Sequence, residues 1–199
     1  MKILAISDKI EESFLNTGLS TARLKGVELI LACGDLPSSY MEYMVSILNA
    51  PLYYVLGNHD QRLYKQHING CTCLDETTIV FKNRIIGGLS GSIKYAGNKL
   101  TYSEMQMHGK IASLFPHLLY NRIRYKRYID ILITHSPVLG VHDESTKVHT
   151  GFKALKLFDK RYCPKYHFHG HTIVRNNIFK TCFHSTQIIN VNPYRILEI

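Results

Sequence analysis

The sequence predicts an α/β fold with parallel strands covered on both faces. Three observations carry this. Short, nearly continuous apolar runs alternate with amphipathic ones through the first third of the chain, as in strands buried on both sides. Those apolar runs stop on a narrow set of polar residues, Asp, Asn or His. The rear of the chain adds patterns that read as antiparallel strands.

Taken in order, "KILAIS" (2–7) is a buried strand and "EESFLNTGLSTARL" (11–24) reads as a helix. "VELILAC" (27–33) is a second strand, "YMEYMVSILN" (40–49) a helix, and "PLYYVLG" (51–57) a third strand. "TTIVF" and "NRIIGGLSGS" (83–92) pair around a Lys82–Asn83 turn. A helical pattern runs from Ser103 to Lys126, with a break expected near Pro116. "YIDILITHSP" (128–137) is a strand ending in a loop, and "GFKALKLFDKRY" (151–162) has helical spacing. "KYHFHGHT" is a strand, and the tail (186–199) gives two short strands around Asn192–Pro193.

At 199 residues and 45% hydrophobic, the chain suits one domain over 1–199 with a real core and no cap domain. The start "MKILAISD" is too short for a signal peptide, and no stretch approaches a membrane span, so a cytoplasmic location is expected. Five Cys with no C-x-x-C spacing read as reduced structural thiols. Lys plus Arg is 24 against 15 acids, a formal charge of +9 that favours anionic partners. The densest cluster, "YNRIRYKRY" (120–128), interleaves Tyr with bases as nucleic-acid binders do. The favoured reading is a solvated helix end, where cations are stabilised by the helix dipole.

The strand ends are the informative positions. "LAIS" ends at Asp8, "LILAC" at Gly34-Asp35, "YYVLG" at Asn58-His59-Asp60, "ILIT" at His135, and "HFHG" at His171. In α/β sheets, ligands bind beyond the carboxyl ends of the strands. One Asp after a strand is usually a helix cap, but five such endings are poorly explained by capping.

In this order the residues resemble the calcineurin-like metallophosphoesterase superfamily, whose pattern is D-x-H, G-D, G-N-H-D or G-N-H-E, a later strand-end His, and G-H-x-H. The matches are "SDKI", "CGDL", "LGNHD", "THSP" and "HGHTI", spanning residues 2 to about 173. The resemblance implies a four-layer α/β/β/α sandwich with two central mixed sheets. It implies one or two divalent cations per chain (Mn, Fe, Zn or Ni) at the strand ends, bridged by Asp35. One metal position would use Asp35, Asn58, His135 and His171, all present. The other would use Asp8, Asp35 and two further His, where this chain has Ile10 and Ile173. An Ile side chain donates nothing to a cation.

Three outcomes stay open for the depleted half: a replacement ligand, a single-metal centre, or a remnant that holds no metal. Replacement candidates are Glu11, Glu12, His142, His149 and His169, the last three also suited to outer positions around the centre. The loop "GVHDESTKVHTG" (140–151), with His142, Asp143 and His149, can overhang the site. Alternation puts His167, His169 and His171 on one side of a strand, but His171 lies where the strand gives way to a loop.

The resemblance further implies phosphoester hydrolysis by a metal-activated water, with His59 protonating the leaving oxygen and Asp60 orienting His59. A small phosphorylated or phosphodiester substrate is expected, a diester over a monoester, with activity weakened by Ile10 and Ile173. Two alternatives stand beside it: a nuclease acting on nucleic acid, and a non-catalytic scaffold binding metal, phosphate or another protein. No membrane partner is expected, and the sequence leaves the oligomeric state open.

Overall fold

The computed structural model describes residues 1–15, 20–64, 66–95, 97–146 and 148–199. In chain order, β1 (Lys2–Ile6) leads through a 3-10 turn at Glu12–Phe14 to α1 (Ser20–Leu24), β2 (Leu29–Cys33), α2 (Ser38–Leu48) and β3 (Leu52–Val55). Then come β4 (Cys71–Cys73), β5 (Thr78–Phe81), β6 (Arg84–Leu89), β7 (Ser92–Ile93), β8 (Thr101–Tyr102) and α3 (Glu104–Tyr125). The chain closes with β9 (Ile131–Thr134), α4 (Lys153–Tyr162), β10 (Tyr166–His169), β11 (Lys180–Phe183), β12 (Thr186–Asn190) and β13 (Tyr194–Glu198).

Two mixed sheets form the centre, in the orders β13-β1-β2-β3-β4 and β11-β12-β10-β9-β6-β5. β1 to β4 run parallel, as do β6, β9, β10 and β12, while β13, β11 and β5 are antiparallel edges. Alternation along each strand sorts the core into layers. Ile3 and Ala5 of β1 pack with Leu31, Val55, Ile133 and Phe168 between the sheets. Leu4 and Ile6 face outward to Tyr40, Met41 and Met44 of α2. The second sheet turns Ile85, Leu89 and Leu132 onto Leu114 and Leu118 of α3 and Leu155 and Phe158 of α4. The result is the α/β/β/α sandwich. Each fully buried Leu or Ile stabilises it by about 1.5–3 kcal/mol.

The β5–β6 hairpin turns at Lys82 and Asn83, both at positive φ (45° and 59°), the two-residue turn that matches strand twist. Several expectations are corrected. The helix expected over 11–24 is a 3-10 turn at Glu12–Phe14 and a five-residue α1, and residues 16–19 lie outside the described set. The break at Pro116 does not occur: α3 runs unbroken over 22 residues. Pro116 is on the exposed side, so the carbonyl that loses its N–H partner faces water. A capping box between Ser103 and Gln106 fixes the start of α3. The strand expected over 83–92 ends at Leu89. The short strands β4, β7, β8 and β11 were not expected.

Candidate metal centre

Every polar strand end identified above lies at the carboxyl end of a parallel strand: Asp8 after β1, Asp35 after β2, Asn58 to Asp60 after β3, His135 after β9, and His171 after β10. The first three belong to one sheet and the last two to the other. Face-to-face packing of the sheets brings these ends together. Ligand atoms of Asp35, His135 and His171 all lie within 4.8 Å of one another, the one such group of His, Cys, Asp or Glu among the described residues.

Three of these side chains sit on a backbone that L-residues rarely adopt. Asp8, Asp35 and His171 have φ of 63°, 56° and 66°. Such conformations cost about 1–3 kcal/mol each and persist where the surroundings over-determine them. The surroundings here are close. A Cβ on Gly57 would collide with Asp35 Oδ1, and one on Gly170 would stand 2.6 Å from Asp8 Oδ2. Only a residue without Cβ lets these carboxylates approach the neighbouring turns.

Each imidazole spends one nitrogen on a backbone carbonyl. His135 Nδ1 lies 2.8 Å from the Cys33 oxygen, and His171 Nε2 lies 2.7 Å from the Val148 oxygen. Donation to those carbonyls leaves His135 Nε2 and His171 Nδ1 as the ring atoms available to a cation, the arrangement in which an outer carbonyl orients a metal-binding imidazole. His135 Nε2 is 3.0 Å from Asn58 Oδ1 and 3.3 Å from Asp35 Oδ2. The Asn58 amide is oriented from behind: its Nδ2 donates to the Tyr95 hydroxyl at 3.0 Å, and Asn98 donates to its backbone oxygen.

Charge follows this geometry. Burial alone would lower His135, but the Asp35 carboxylate outweighs it and lifts the imidazole to about 9. Burial alone would raise Asp35, but the His135 charge and hydrogen bond hold it below the usual carboxylate range. Burial, with His135 beside it, pushes His171 down to about 3. The centre therefore offers one anion and one neutral imidazole around a position that a proton occupies in the metal-free chain. A carboxylate, an amide oxygen and two imidazoles are a donor set that suits Mn, Fe, Zn or Ni.

The turn carrying Gly57 to Asp60 is braced twice. Asp60 Oδ2 accepts from the N–H groups of Asp35 (2.7 Å) and Gly57 (2.8 Å), and burial raises its carboxyl to about 6. Behind it, Ser90 Oγ accepts from Leu56 N–H, and Ser90 N–H donates to Asp75, which pairs with Lys110 of α3 at 2.8 Å. The His59 N–H donates to Asp35 Oδ1 at 2.8 Å. Its exposed side chain lines a cavity of about 350 Å³ together with Asp8, Asp35, Asn58, His149 and His171.

The His-rich strand divides. His167 is fully buried, with Nδ1 2.8 Å from Asp159 and Nε2 2.9 Å from Thr134. His169 and His142 meet ring to ring at 3.0 Å, and His142 reaches Thr181 at 2.9 Å. Those contacts occupy His169 and His142 away from the cavity, whereas His149 lines it. Ile10 and Ile173 are 42% and 65% exposed. The Asp60 bonds are to the backbone of Asp35 and Gly57, in place of the expected orientation of His59. Sequence reading missed the roles of the Cys33 and Val148 carbonyls and of Asn98. Backbone carbonyls leave no residue-type signal.

A two-sheet sandwich that gathers a carboxylate and two imidazoles at its strand ends defines a class of metal-dependent hydrolases. Within it, the chain belongs to the calcineurin-like phosphoesterase family, whose sequence model matches residues 1–175. Members are metal-dependent hydrolases of phosphate esters. TT1561 of Thermus thermophilus superposes with a TM-score of 0.64 at 16% identity, covering 96% of this chain and 88% of its own. GAP50, described as the anchor in the inner membrane complex of Plasmodium, superposes with a TM-score of 0.54 at 16% identity, covering 96% and 70%. At such identities these likenesses speak for the fold alone. No curated protein matches the chain by sequence.

Proposed function

We propose that the chain is a phosphoesterase that hydrolyses a small phosphodiester at the Asp35–His135–His171 centre, as one domain without a cap. The observation that carries this is the convergence of those three side chains, with each imidazole oriented by a backbone carbonyl. Asp35, Asn58, His135 and His171 would hold a divalent cation, with Asp8 beside them. When bound, the cation polarises the phosphoryl oxygens and makes a water more acidic.

The chain's own residues do the rest. Asp60 positions Asp35 and the Gly57 turn through its two backbone bonds. His59, exposed on the cavity wall, would give a proton to the departing oxygen. The open cavity and the +9 charge favour an anionic diester. The basic cluster at the end of α3 supports a nuclease less well, because two of its four cations, Arg122 and Arg127, are engaged within the fold. Arg122 bonds the Lys126 carbonyl, and Arg127 pairs with Asp130 at 2.9 Å.

A cytoplasmic setting is supported by five free cysteines. Among the described residues, no helix is long and apolar enough to cross a membrane. A second reading, a scaffold without turnover, draws on the exposed Ile10 and Ile173 in place of metal donors.

The test is an assay of metal-loaded protein on a chromogenic diester, a chromogenic monoester and single-stranded nucleic acid. The diester should turn over fastest. His171→Ala and Asn58→Ala should each lower kcat/KM by about 10²-fold or more, since losing even an outer partner of a ligand costs 10–100-fold. Folded protein without turnover on Mn, Fe, Zn or Ni would remove the enzyme readings. Activity surviving both variants would remove the site assignment.

A further inference from the structure

The depleted half of the centre has carboxylates but too few nitrogens. Asp8 has its Oδ2 fixed by the Ser7 hydroxyl at 2.6 Å and the His171 N–H at 3.0 Å. Asp35 is shared with the intact half. Two carboxylates and water bind a divalent cation weakly, and Mn, Fe and Zn gain from an imidazole donor. The structure narrows which side chain can supply it. Glu11 is held as the cap of the 3-10 turn, accepting from the Ser13 hydroxyl at 2.6 Å. His142 and His169 are occupied with each other.

Of the candidates that carry an imidazole, His149 remains, and its surroundings suit a ligand. It lines the same cavity as Asp8 and Asp35, and its ring centre is 5.1 Å from that of His171. Its Nδ1 is 3.0 Å from Thr146 Oγ1 and 3.6 Å from the Glu144 carboxylate. An N–H shared with a hydroxyl and a carboxylate keeps the other ring nitrogen in its lone-pair form, as in carboxylate–histidine–metal arrangements. Glu144 is anchored in turn by Arg175 at 3.0 Å.

The described residues flanking His149 are tied by hydrogen bonds. His149 N–H donates to the Thr146 oxygen, Glu144 N–H donates to the His149 oxygen, and the Val148 carbonyl accepts from His171 Nε2. That last bond ties the loop to a residue of the intact centre. His149 lies outside the converging group of Asp35, His135 and His171, with 39% of its side chain exposed, so ligation takes a shift of its ring toward Asp8 small enough to keep the Nδ1 contacts.

We propose that His149 completes a second divalent-cation site with Asp8 and Asp35, standing in for the donors that Ile10 and Ile173 lack. The inference rests on the metal-centre reading above. Because His149 must shift from its present position to bind, this cation is held more weakly than the first.

Metal-free protein titrated with Mn²⁺ alone tests it, with bound ions counted by calorimetry and spin coupling followed by electron paramagnetic resonance. The expected result is two Mn²⁺ per chain, the second about tenfold weaker or more, with a coupled-pair spectrum. His149→Ala should bind one Mn²⁺ with the first-site affinity unchanged and the coupled spectrum gone. His149→Gln, which keeps a polar side chain in the turn, should behave alike, so that a folding defect of the alanine variant does not decide the matter. Two ions with unchanged affinities in both variants would overturn the inference. One ion per chain in the unaltered protein would also overturn it, and leave the intact centre standing. No bound ion at all would overturn the phosphoesterase reading with it.

Discussion

His135 Nε2 stands 3.0 Å from the Asn58 side-chain oxygen, while the other nitrogen of the same ring faces the Cys33 carbonyl at 2.8 Å. A neutral imidazole that donates to Cys33 would point a lone pair at an acceptor. Either a proton or a cation between them removes that conflict, so both compete for one position.

The competition has a pH signature in metal-free protein. His135 is raised to about 9 from an ordinary 6.5, after burial is outweighed by Asp35. Its contribution to stability is therefore complete below 6.5 and lost as pH rises through about 9. Asp35 is lowered from 3.8, burial being outweighed by His135, so its contribution is present above 3.8 and lost as pH falls through the depressed value. Burial opposes this on the acid side, because His171, pushed down to about 3, costs stability as pH falls below 6.5. Chelator-treated protein should thus melt highest near pH 6.5, with a falling Tm from about pH 6.5 to 9. Saturating Mn²⁺ should flatten the alkaline fall, because the cation takes the place of the proton. An alkaline fall of equal size with Mn²⁺ present would count against a shared position.

Tyr95 is expected to set the affinity of the centre without touching the ion. Its hydroxyl receives the Asn58 Nδ2 proton at 3.0 Å, which keeps the amide oxygen turned toward His135. Tyr95→Phe should weaken Mn²⁺ binding about 10-fold, the low end for loss of an outer-sphere partner. The Tm of metal-free protein should stay within a degree or two, since Tyr95 is 38% exposed. Unchanged Mn²⁺ affinity in folded variant protein would refute the role.

Asp159 and His167 are expected to matter for stability alone. Both side chains are 0% exposed, and their atoms meet at 2.8 Å between α4 and β10. Asp159→Ala leaves the buried His167 Nδ1 without its partner and should cost about 1–3 kcal/mol, the range for an unsatisfied buried polar group. Urea unfolding reads that loss. Mn²⁺ affinity of the folded fraction should match the unaltered protein, and a large change would place His167 nearer the chemistry than its contacts do.

The sequence by itself determined the order and chemistry of the strand ends. Asp8, Asp35, Asn58, His135 and His171 are legible because buried parallel strands are continuous apolar runs, so a polar residue at their ends stands out. The substitution of Ile10 and Ile173 is legible only against the D-x-H and G-H-x-H pattern of the family that the chain resembles. The α/β alternation also follows from these runs. Four short strands escaped, because two to four residues carry too little periodicity to separate a strand from a loop.

Only the tertiary structure decided which histidine does what. On alternation alone His167, His169 and His171 share a face. Past Gly170 the backbone of His171 turns to φ 66°, which redirects its ring to the centre, while His167 and His169 remain buried on β10. The orientation of Asn58 by Tyr95, 37 residues away, and of His135 by Cys33, 102 residues away, is equally invisible locally. Such bonds depend on how two sheets pack. Residue spacing along the chain does not encode a distance between strand ends that meet only after the sandwich has formed.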